Sequence, residues 1–269
     1  MTNVCFAGVT GWTAPPILAA IQSSSDLRLV AGVSRSAAGQ SLAEATGIDT
    51  PGQVHGTVAQ ALAEQSVDVL VDYTSATSVK ENVQTAVEAG VHVVVGSSGL
   101  TAEDYADLDE RARSAAVGVI AAGNFSVMAA ILRRAATLAA EHLEHWEILD
   151  YASDEKRDVP SGTSRELAET LSKFVPKTTV SVEDLHGPVE ARGVEVGGTR
   201  IHSLRLPSFV VTTEIVFAST GERLVMRHDP GLTPEPYVDG TLLAIRKVSD
   251  SAGLRRGLDS LLFRDVDER

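Results

Sequence analysis

The sequence predicts an α/β protein: a Rossmann-type parallel sheet domain plus a second α+β domain with a mixed or antiparallel sheet. Three observations predict it. Short apolar strands alternate with helical stretches over the first half of the 269 residues. A glycine turn, Gly8-Val9-Thr10-Gly11, separates the first strand from the first helix. Beyond residue 143 the alternation stops and longer strands follow. The expected boundary falls near residues 125–127, giving domains over 1–126 and 127–239, with 240–269 returning to the first.

Residues 4–7 read as a buried strand and residues 15–22 as a helix. Pro15 and Pro16 fit a first helical turn, where a missing N–H costs little. Strand, glycine turn and helix together form the context of a dinucleotide site. There Gly8 allows the tight turn, Gly11 lets the backbone approach a pyrophosphate, and Ala14 is small enough for close packing. The spacing is GxxGxxA rather than GxGxxG, so the motif is weak by itself. Thr10 and Trp12 belong to the same turn. The strand over 27–33 ends in Ser34-Arg35-Ser36. An acid at such a strand end binds the 2′-hydroxyl of NAD. Here Ser34 stands in that place and Arg35 follows, a pairing that favours a 2′-phosphate. The expected cofactor is therefore NADPH, with NADH as the alternative.

The alternation continues with a helix over 59–64, a strand over 67–73, a helix over 80–89 and a strand over 91–95. A helix over 101–115 follows, capped by Thr101 with Asp104 three residues on, and then a strand over 118–121. These strands are apolar throughout, as a parallel sheet covered on both faces requires. The loops after them are Asp72-Tyr73-Thr74, Gly96-Ser97-Ser98-Gly99 and Gly123-Asn124-Phe125-Ser126. Ligands of such sheets sit at strand C-termini. Tyr73, Thr74, Gly96, Ser97, Ser98, Gly123, Asn124 and Phe125 are thus cofactor-binding candidates beside Gly8, Thr10, Gly11, Trp12, Ser34 and Arg35.

In the second half, residues 128–143 read as a long helix and 145–151 as a strand. The strand leads into a stretch from Asp150 to Thr163 that combines Lys156 and Arg157, four carboxylates and the turn Pro160-Ser161-Gly162-Thr163. A helix is expected over 164–174, with Thr163 and Glu166 spaced as a capping box. A helix start offers unpaired N–H groups and a positive dipole end, and the two cations add full charges. That combination suits a small anion, most simply a carboxylate. Residues 178–182 read as extended, 192–198 as a glycine-rich loop, and 200–206, 210–218 and 223–228 as strands. Residues 237–248 and 252–262 read as helices.

Composition narrows the function further. Hydrophobic residues make up 43% and charged residues 22%, which is ordinary for a soluble globular chain. The net charge of −13 argues against broad attachment to nucleic acid or anionic membrane. Any anionic ligand must be drawn by local cations. The single cysteine, Cys5, excludes an intramolecular disulfide and lies in an apolar run as a packing residue. The seven histidines form no HExxH or HxH pattern, so no metal is expected. Neither a secretory leader nor a spanning segment is legible, which makes the cytoplasm the expected location.

At this point the match becomes specific. The chain resembles the 4-hydroxy-tetrahydrodipicolinate reductases (dihydrodipicolinate reductases) of bacterial lysine biosynthesis, over nearly its whole length and in order. The resemblance rests on the GxxG turn, Asp72-Tyr73-Thr74, Gly96-Ser97-Ser98-Gly99, Asn124-Phe125-Ser126, Lys156 with Asp158 and Pro160-Ser161-Gly162-Thr163, the run from Ile201 to Pro207, and Gly221-Glu222-Arg223-Leu224. Lys-x-Asp-x-Pro-Ser-Gly-Thr is the most specific of these. The resemblance implies a dinucleotide-binding first domain, a second domain for substrate binding and oligomerisation that forms homotetramers through its sheet, and hydride transfer from a nicotinamide to a cyclic, conjugated imine dicarboxylate. Carried over, Lys156, Ser161, Gly162 and Thr163 hold the substrate carboxylates.

The departures matter as much. Family members usually carry a His-His pair three and four residues before the motif lysine. Here those positions are Ser153 and Ala152. The first histidine is the family's proposed proton donor, and alanine cannot replace it. Ser153 stands where the second contacts substrate and is kept as a substrate-binding candidate. The arginine usual after the second glycine of the cofactor turn is Trp12, and Asp229-Pro230-Gly231-Leu232-Thr233-Pro234 lacks an arginine the family tends to have. Hydride transfer depends on proximity more than on acid catalysis, while a lost general acid costs on the order of 10²–10⁴-fold. Substitute donors are Lys156, Tyr151, Asp154 or water, with Lys156 preferred as the catalytic residue. The leading expectation is an NADPH-dependent reductase of a carboxylate-bearing cyclic imine or enamine in the lysine/diaminopimelate pathway. Its alternatives are a reductase of another cyclic imino acid in a specialised pathway and a non-catalytic cofactor-binding homologue.

Overall fold

The computed structural model describes residues 1–174, 176–177 and 180–263. They form two compact units, residues 1–126 with 234–263 and residues 127–233. In chain order the first unit carries β1 (Thr2–Ala7), α1 (Ala14–Ser23), β2 (Leu27–Val33), α2 (Leu42–Thr46), β3 (Gln53–His55), α3 (Val58–Glu64), β4 (Val69–Asp72), α4 (Val79–Glu88), β5 (His92–Val95), α5 (Ala102–Ser114) and β6 (Gly118–Ala121). The second unit contributes α6 (Val127–Ala140), β7 (His145–Ala152), α7 (Gly162–Leu171), β8 (Val194–Val196), β9 (Thr199–Arg205), β10 (Val211–Ser219) and β11 (Glu222–His228). The chain then returns to the first unit with α8 (Val238–Lys247), β12 (Gly253–Arg256) and α9 (Asp259–Leu262).

The first sheet runs β12-β6-β5-β4-β1-β2-β3, parallel at every pairing. Its order reverses beside β1, the switch point where such sheets bind ligands. Alternation along β1 explains why no polar side chain appears there: Val4 and Phe6 point to one face, Cys5 and Ala7 to the other, and both faces are buried. Cys5, Leu70, Val93, Val95 and Val119 pack with Val83, Val87 and Leu108 of α4 and α5. Burial, with Asp72 nearby, pushes the Cys5 thiol up to about 12, so it is a packing residue. The expected box at Thr101 is present, its hydroxyl accepting from the Asp104 N–H and the Asp104 carboxylate accepting from the Thr101 N–H.

Two elements of this unit lie outside the expectations. The sequence predicts no element over residues 42–46 and 53–55, yet they form α2, capped by its own Ser41–Glu44 box, and the edge strand β3. Residues 252–262, expected as helix, divide into β12 and the short α9. Gly253-Leu254-Arg255-Arg256 becomes a strand because β6 offers an open parallel edge, pairing Gly253 with Gly118.

The second sheet runs β11-β10-β7-β9-β8. It is mixed: β7 and β9 are parallel and the other pairs antiparallel. Along β7 the buried positions are Trp146, Ile148, Asp150 and Ala152, while the residues between them are half-exposed. Trp146 and Ile148 pack with Phe217, Ile215 and Ile201 against Ala136 and Ala140 of α6 and Leu167 and Leu171 of α7. The Trp146 indole donates to the Thr199 hydroxyl at 3.0 Å. Residues 192–198, expected as loop, contain β8; Gly197-Gly198, both at positive φ, turn it back onto β9. Of the piece expected over 178–182, residues 178 and 179 lie outside the described residues, and Val182 opens a single 3-10 turn.

Candidate functional site

The first unit gathers the predicted loops at one edge. Because β1, β2, β4, β5 and β6 are parallel, the segments at Gly8, Ser34, Tyr73, Gly96 and Gly123 all leave the C-terminal edge of one sheet. Gly8 has φ 88°, and a Cβ there would stand 2.3 Å from the Tyr73 carbonyl oxygen. No residue with a side chain fits, so the backbone cradle between β1 and β4 is built for close approach. Gly11 closes the turn by donating its N–H to the Gly8 carbonyl at 2.8 Å. The Thr10 and Ser34 hydroxyls meet at 2.9 Å, and Ser34 meets Ser36 at 3.1 Å. Three hydroxyls and the exposed Arg35 thus occupy the end of β2, with no carboxylate among residues 33–37. Trp12 is 51% exposed, its indole meeting the Tyr237 ring edge-on with centroids 6.2 Å apart.

The other loops owe their shape to Asp72. Its side chain is wholly buried and accepts from the Ser97 hydroxyl at 2.5 Å, the Thr74 hydroxyl at 2.8 Å, the Thr74 N–H at 3.1 Å and Asn82 Nδ2 at 2.8 Å. Sequence reasoning named Thr74 and Ser97 but missed Asp72 as their organiser. The available signal was an acid closing an otherwise apolar strand. The Tyr73 hydroxyl is committed to Thr241 at 2.7 Å, and its ring lies between Phe6 and Phe125. That ring fills the space where a Gly96 Cβ would sit 2.3 Å away. Tyr73 and the buried Phe125 therefore shape the edge by packing, rather than through a free hydroxyl or an exposed ring. In the last loop the Asn124 side-chain oxygen accepts from the Ser126 N–H at 2.8 Å; Gly123 and Ser98 are exposed.

In the second unit α7 begins earlier than expected. Its N-cap is Ser161, whose hydroxyl accepts from the Ser164 N–H at 3.3 Å. Thr163 lies inside the first turn, and Glu166 pairs with Arg133 of α6 at 2.9 Å instead of closing a box. Ser161 is wholly buried, its N–H donates to Asp150 at 2.9 Å, and its hydroxyl caps the helix, so it shapes the turn. Gly162 and Thr163 are the first two helical residues, where backbone N–H groups point out of the helix.

Lys156, half-buried, pairs with Asp158 at 2.8 Å, and its N–H donates to the Ser153 carbonyl. The Ser153 hydroxyl accepts from the Glu155 N–H and faces Asp154, both at 3.3 Å. Ala152 is wholly buried in β7. Tyr151 alternates to the opposite face of the sheet from Asp150 and Ala152, stacked on Phe209 with Arg227 over its ring. Asp154 is exposed beside Ser153. Among the described residues no His/Cys/Asp/Glu group is arranged to hold a metal, and no helix is long and apolar enough to cross a membrane.

Comparison with known proteins agrees over both units. Residues 2–125 match the family described as dihydrodipicolinate reductase, N-terminus, and residues 125–262 match dihydrodipicolinate reductase, C-terminus. The chain is 36% identical over 266 residues to the 4-hydroxy-tetrahydrodipicolinate reductase of Synechococcus elongatus, covering 95% of this chain and 96% of that one. It is 33% identical over 264 residues to the enzyme of the same name from Geobacillus kaustophilus, covering 97% and 98%. Among solved structures it resembles a dipicolinate-bound dihydrodipicolinate reductase from Paenisporosarcina sp. TG-14, with TM-score 0.73, 26% identity and coverage of 96% and 98%. An amine dehydrogenase from Mycobacterium smegmatis, at 16% identity and TM-score 0.65, shares the fold. The glycine cradle of one unit and the lysine-and-helix turn of the other thus have a common setting: the chain belongs to the dihydrodipicolinate reductase family and is an NAD(P)H-dependent oxidoreductase of that kind.

Proposed function

We propose that the chain reduces a carboxylate-bearing cyclic imine or enamine with NADPH, serving the lysine/diaminopimelate pathway. The observation that carries this reading is the family's most specific motif, which puts a cation, Lys156, and the N-terminus of α7 in one short segment. A compact carboxylate fits such a turn because it accepts from both. The related enzyme bound to dipicolinate, a small dicarboxylate, supports the same substrate class.

The glycine cradle fits a dinucleotide, since the backbone at Gly8 and Gly11 leaves no room for side chains where a pyrophosphate would approach. When bound, NADPH supplies a hydride. Gly8, Thr10, Gly11 and Trp12 would line the turn, Ser34 and Arg35 the adenosine end, and Thr74, Gly96, Ser97, Ser98, Gly123 and Asn124 the remaining strand ends. Tyr73 and Phe125 would support them from behind. NADPH is preferred over NADH because the hydroxyls of Thr10, Ser34 and Ser36 and the Arg35 cation offer donors to a 2′-phosphate, with no carboxylate to repel it. In the second unit Lys156 would grip a carboxylate and stand as the nearest acid, with Ser161, Gly162, Thr163 and Ser153 lining the turn.

A buried Ala152 favours a second reading, reduction of a different cyclic imino acid. The side chain that usually donates a proton is missing, so an acceptor needing less acid assistance would suit this site better. Homotetramer formation and a cytoplasmic location belong to the same proposal; the Val216–Val225 pair on the open face of the second sheet, with Val225 exposed, suits contact between copies.

The decisive experiment is steady-state oxidation of NADPH and NADH with 4-hydroxy-tetrahydrodipicolinate and a panel of cyclic imino acids. The proposal expects turnover of the family substrate, a higher kcat/KM with NADPH, and a KM raised about tenfold or more in Lys156→Ala, the loss of one charge-assisted contact. A strong NADH preference sinks the cofactor assignment. An unchanged KM in the variant sinks the carboxylate clamp. Turnover of another imine alone moves the substrate to the second reading.

A further inference from the structure

Asp150 lies wholly buried in β7 and accepts hydrogen bonds on both carboxylate oxygens. Its Oδ2 takes the Ser161 N–H at 2.9 Å, the Ser203 hydroxyl at 3.0 Å and Arg205 Nη2 at 3.0 Å, and its Oδ1 takes the Ser164 hydroxyl at 3.1 Å. These donors come from β9, from the turn before α7 and from the first turn of α7 itself. Arg205 does more than neutralise the acid. Its Nη2 also donates to the Asp158 backbone carbonyl at 2.6 Å, and its Nη1 donates to the Leu204 carbonyl at 2.9 Å. The side chain of Asp158 in turn holds the Lys156 ammonium at 2.8 Å. A continuous chain of contacts therefore runs from a carboxylate in the sheet, through a guanidinium, to the lysine of the turn.

We propose that Asp150 and Arg205 are positioning residues that fix the Lys156 ammonium at the place where a substrate carboxylate is gripped. The proposal rests on the reading of Lys156 as a carboxylate clamp. Neither residue needs to touch the substrate. Asp150 fixes the helix start and the guanidinium together, so both halves of the anion site are set by one buried acid. Arg205 is suited to the task because its planar fork reaches acceptors on β7, β9 and the turn at once, in fixed geometry. A lysine there keeps the charge but loses the fork. Asp158 is the last link, and it stands where an incoming carboxylate would take over the ammonium.

The test uses the full chain carrying Arg205→Lys, with Asp158→Asn as a second variant that leaves the buried Asp150–Arg205 pair intact. Both are expected to raise the KM for the imine substrate about tenfold or more while kcat stays within about threefold and the Kd for NADPH is unchanged, since a misplaced binding group is lost to recognition first. Combined with Lys156→Ala, Arg205→Lys is expected to add less than about twofold, because residues acting through one another are not additive. An independent readout is the acetylation rate of Lys156 by acetic anhydride, measured by peptide mass spectrometry against Lys247 of the other unit. Both variants are expected to raise it severalfold. Additive effects in the double variant, or Lys156 labelled at the wild-type rate in both single variants, overturn the proposal. If the wild type reduces none of the imines, the substrate reading fails, and the labelling rates still decide whether Arg205 and Asp158 hold Lys156.

Discussion

Burial opposes ionisation of Asp150, yet the Ser161 and Arg205 hydrogen bonds and the Arg205 charge outweigh it and hold the carboxyl below the usual aspartate range. The consequence for stability has a definite sign. A folded-state pKa lower than that of the unfolded chain adds stability that is full above the ordinary aspartate pKa and drains as pH falls through the folded one. Thermal unfolding followed from neutral pH downward should therefore show Tm falling below about pH 4, the ordinary aspartate value. Asp150→Asn should start lower and lose less over the same acid interval, because its side chain no longer titrates. Equal acid losses in both proteins would remove Asp150 from the explanation. The residue also shows where sequence reading stops. Lys156 and the motif around it were legible from residue type and spacing, because each carries its chemistry locally. The sequence offers Asp150 only as the end of a strand and one of four carboxylates in the stretch to Thr163, since nothing nearby says that Ser203 and Arg205, more than fifty residues later, will meet it on the next strand.

The same limit governs whole elements. Elements with a strong local signal were legible: the apolar parallel strands, α1 with its two prolines, and α5 with its Thr101 box. Those fixed by a distant partner were not. Thr163 and Ser161 are both competent caps, and the choice went to Ser161 because Asp150, eleven residues earlier, takes its N–H. β12 has no strand pattern of its own and exists because β6 has a free edge. The returning helix α8 makes the dependence testable. Gly240 in its first turn packs so closely that a Cβ would stand 1.9 Å from the Phe125 carbonyl oxygen, backbone that cannot step aside without moving the loop at Gly123. Elsewhere in a helix, replacing glycine with alanine is stabilising by up to about 1 kcal/mol. Here the sign should reverse. Gly240→Ala is expected to cost about 2–4 kcal/mol in denaturant unfolding, the range of a forced backbone clash. It is also expected to weaken NADPH binding, because the displaced loop belongs to the cofactor edge. A variant as stable as wild type, with unchanged NADPH affinity, would show that α8 and the loop are not tightly coupled.

Charge acts on the scale of the whole molecule. The formal net charge is −13, while the proposed substrate is an anion and the cofactor carries phosphates. Every approach from bulk solvent is thus made against the average field, and in the proposed site the attraction comes from a few cations: Lys156 and Arg157 at one turn, Arg35 at another. These two contributions respond differently to salt. Repulsion summed over the surface acts at long range and is cut to a Debye length of about 8 Å at physiological ionic strength. A contact between Lys156 and a carboxylate is made well inside that length, in a half-buried turn, and is screened much less. An enzyme that steers its anion with a broad basic surface loses association rate as salt rises. This chain should do the reverse. Between about 10 mM and about 150 mM salt, the association rate of NADPH measured by stopped-flow fluorescence should rise by a few-fold, while its dissociation rate changes little. A rate that falls steeply over the same interval would mean that the cations near Arg35 project a field stronger than the rest of the molecule, and that the cofactor is steered rather than merely admitted.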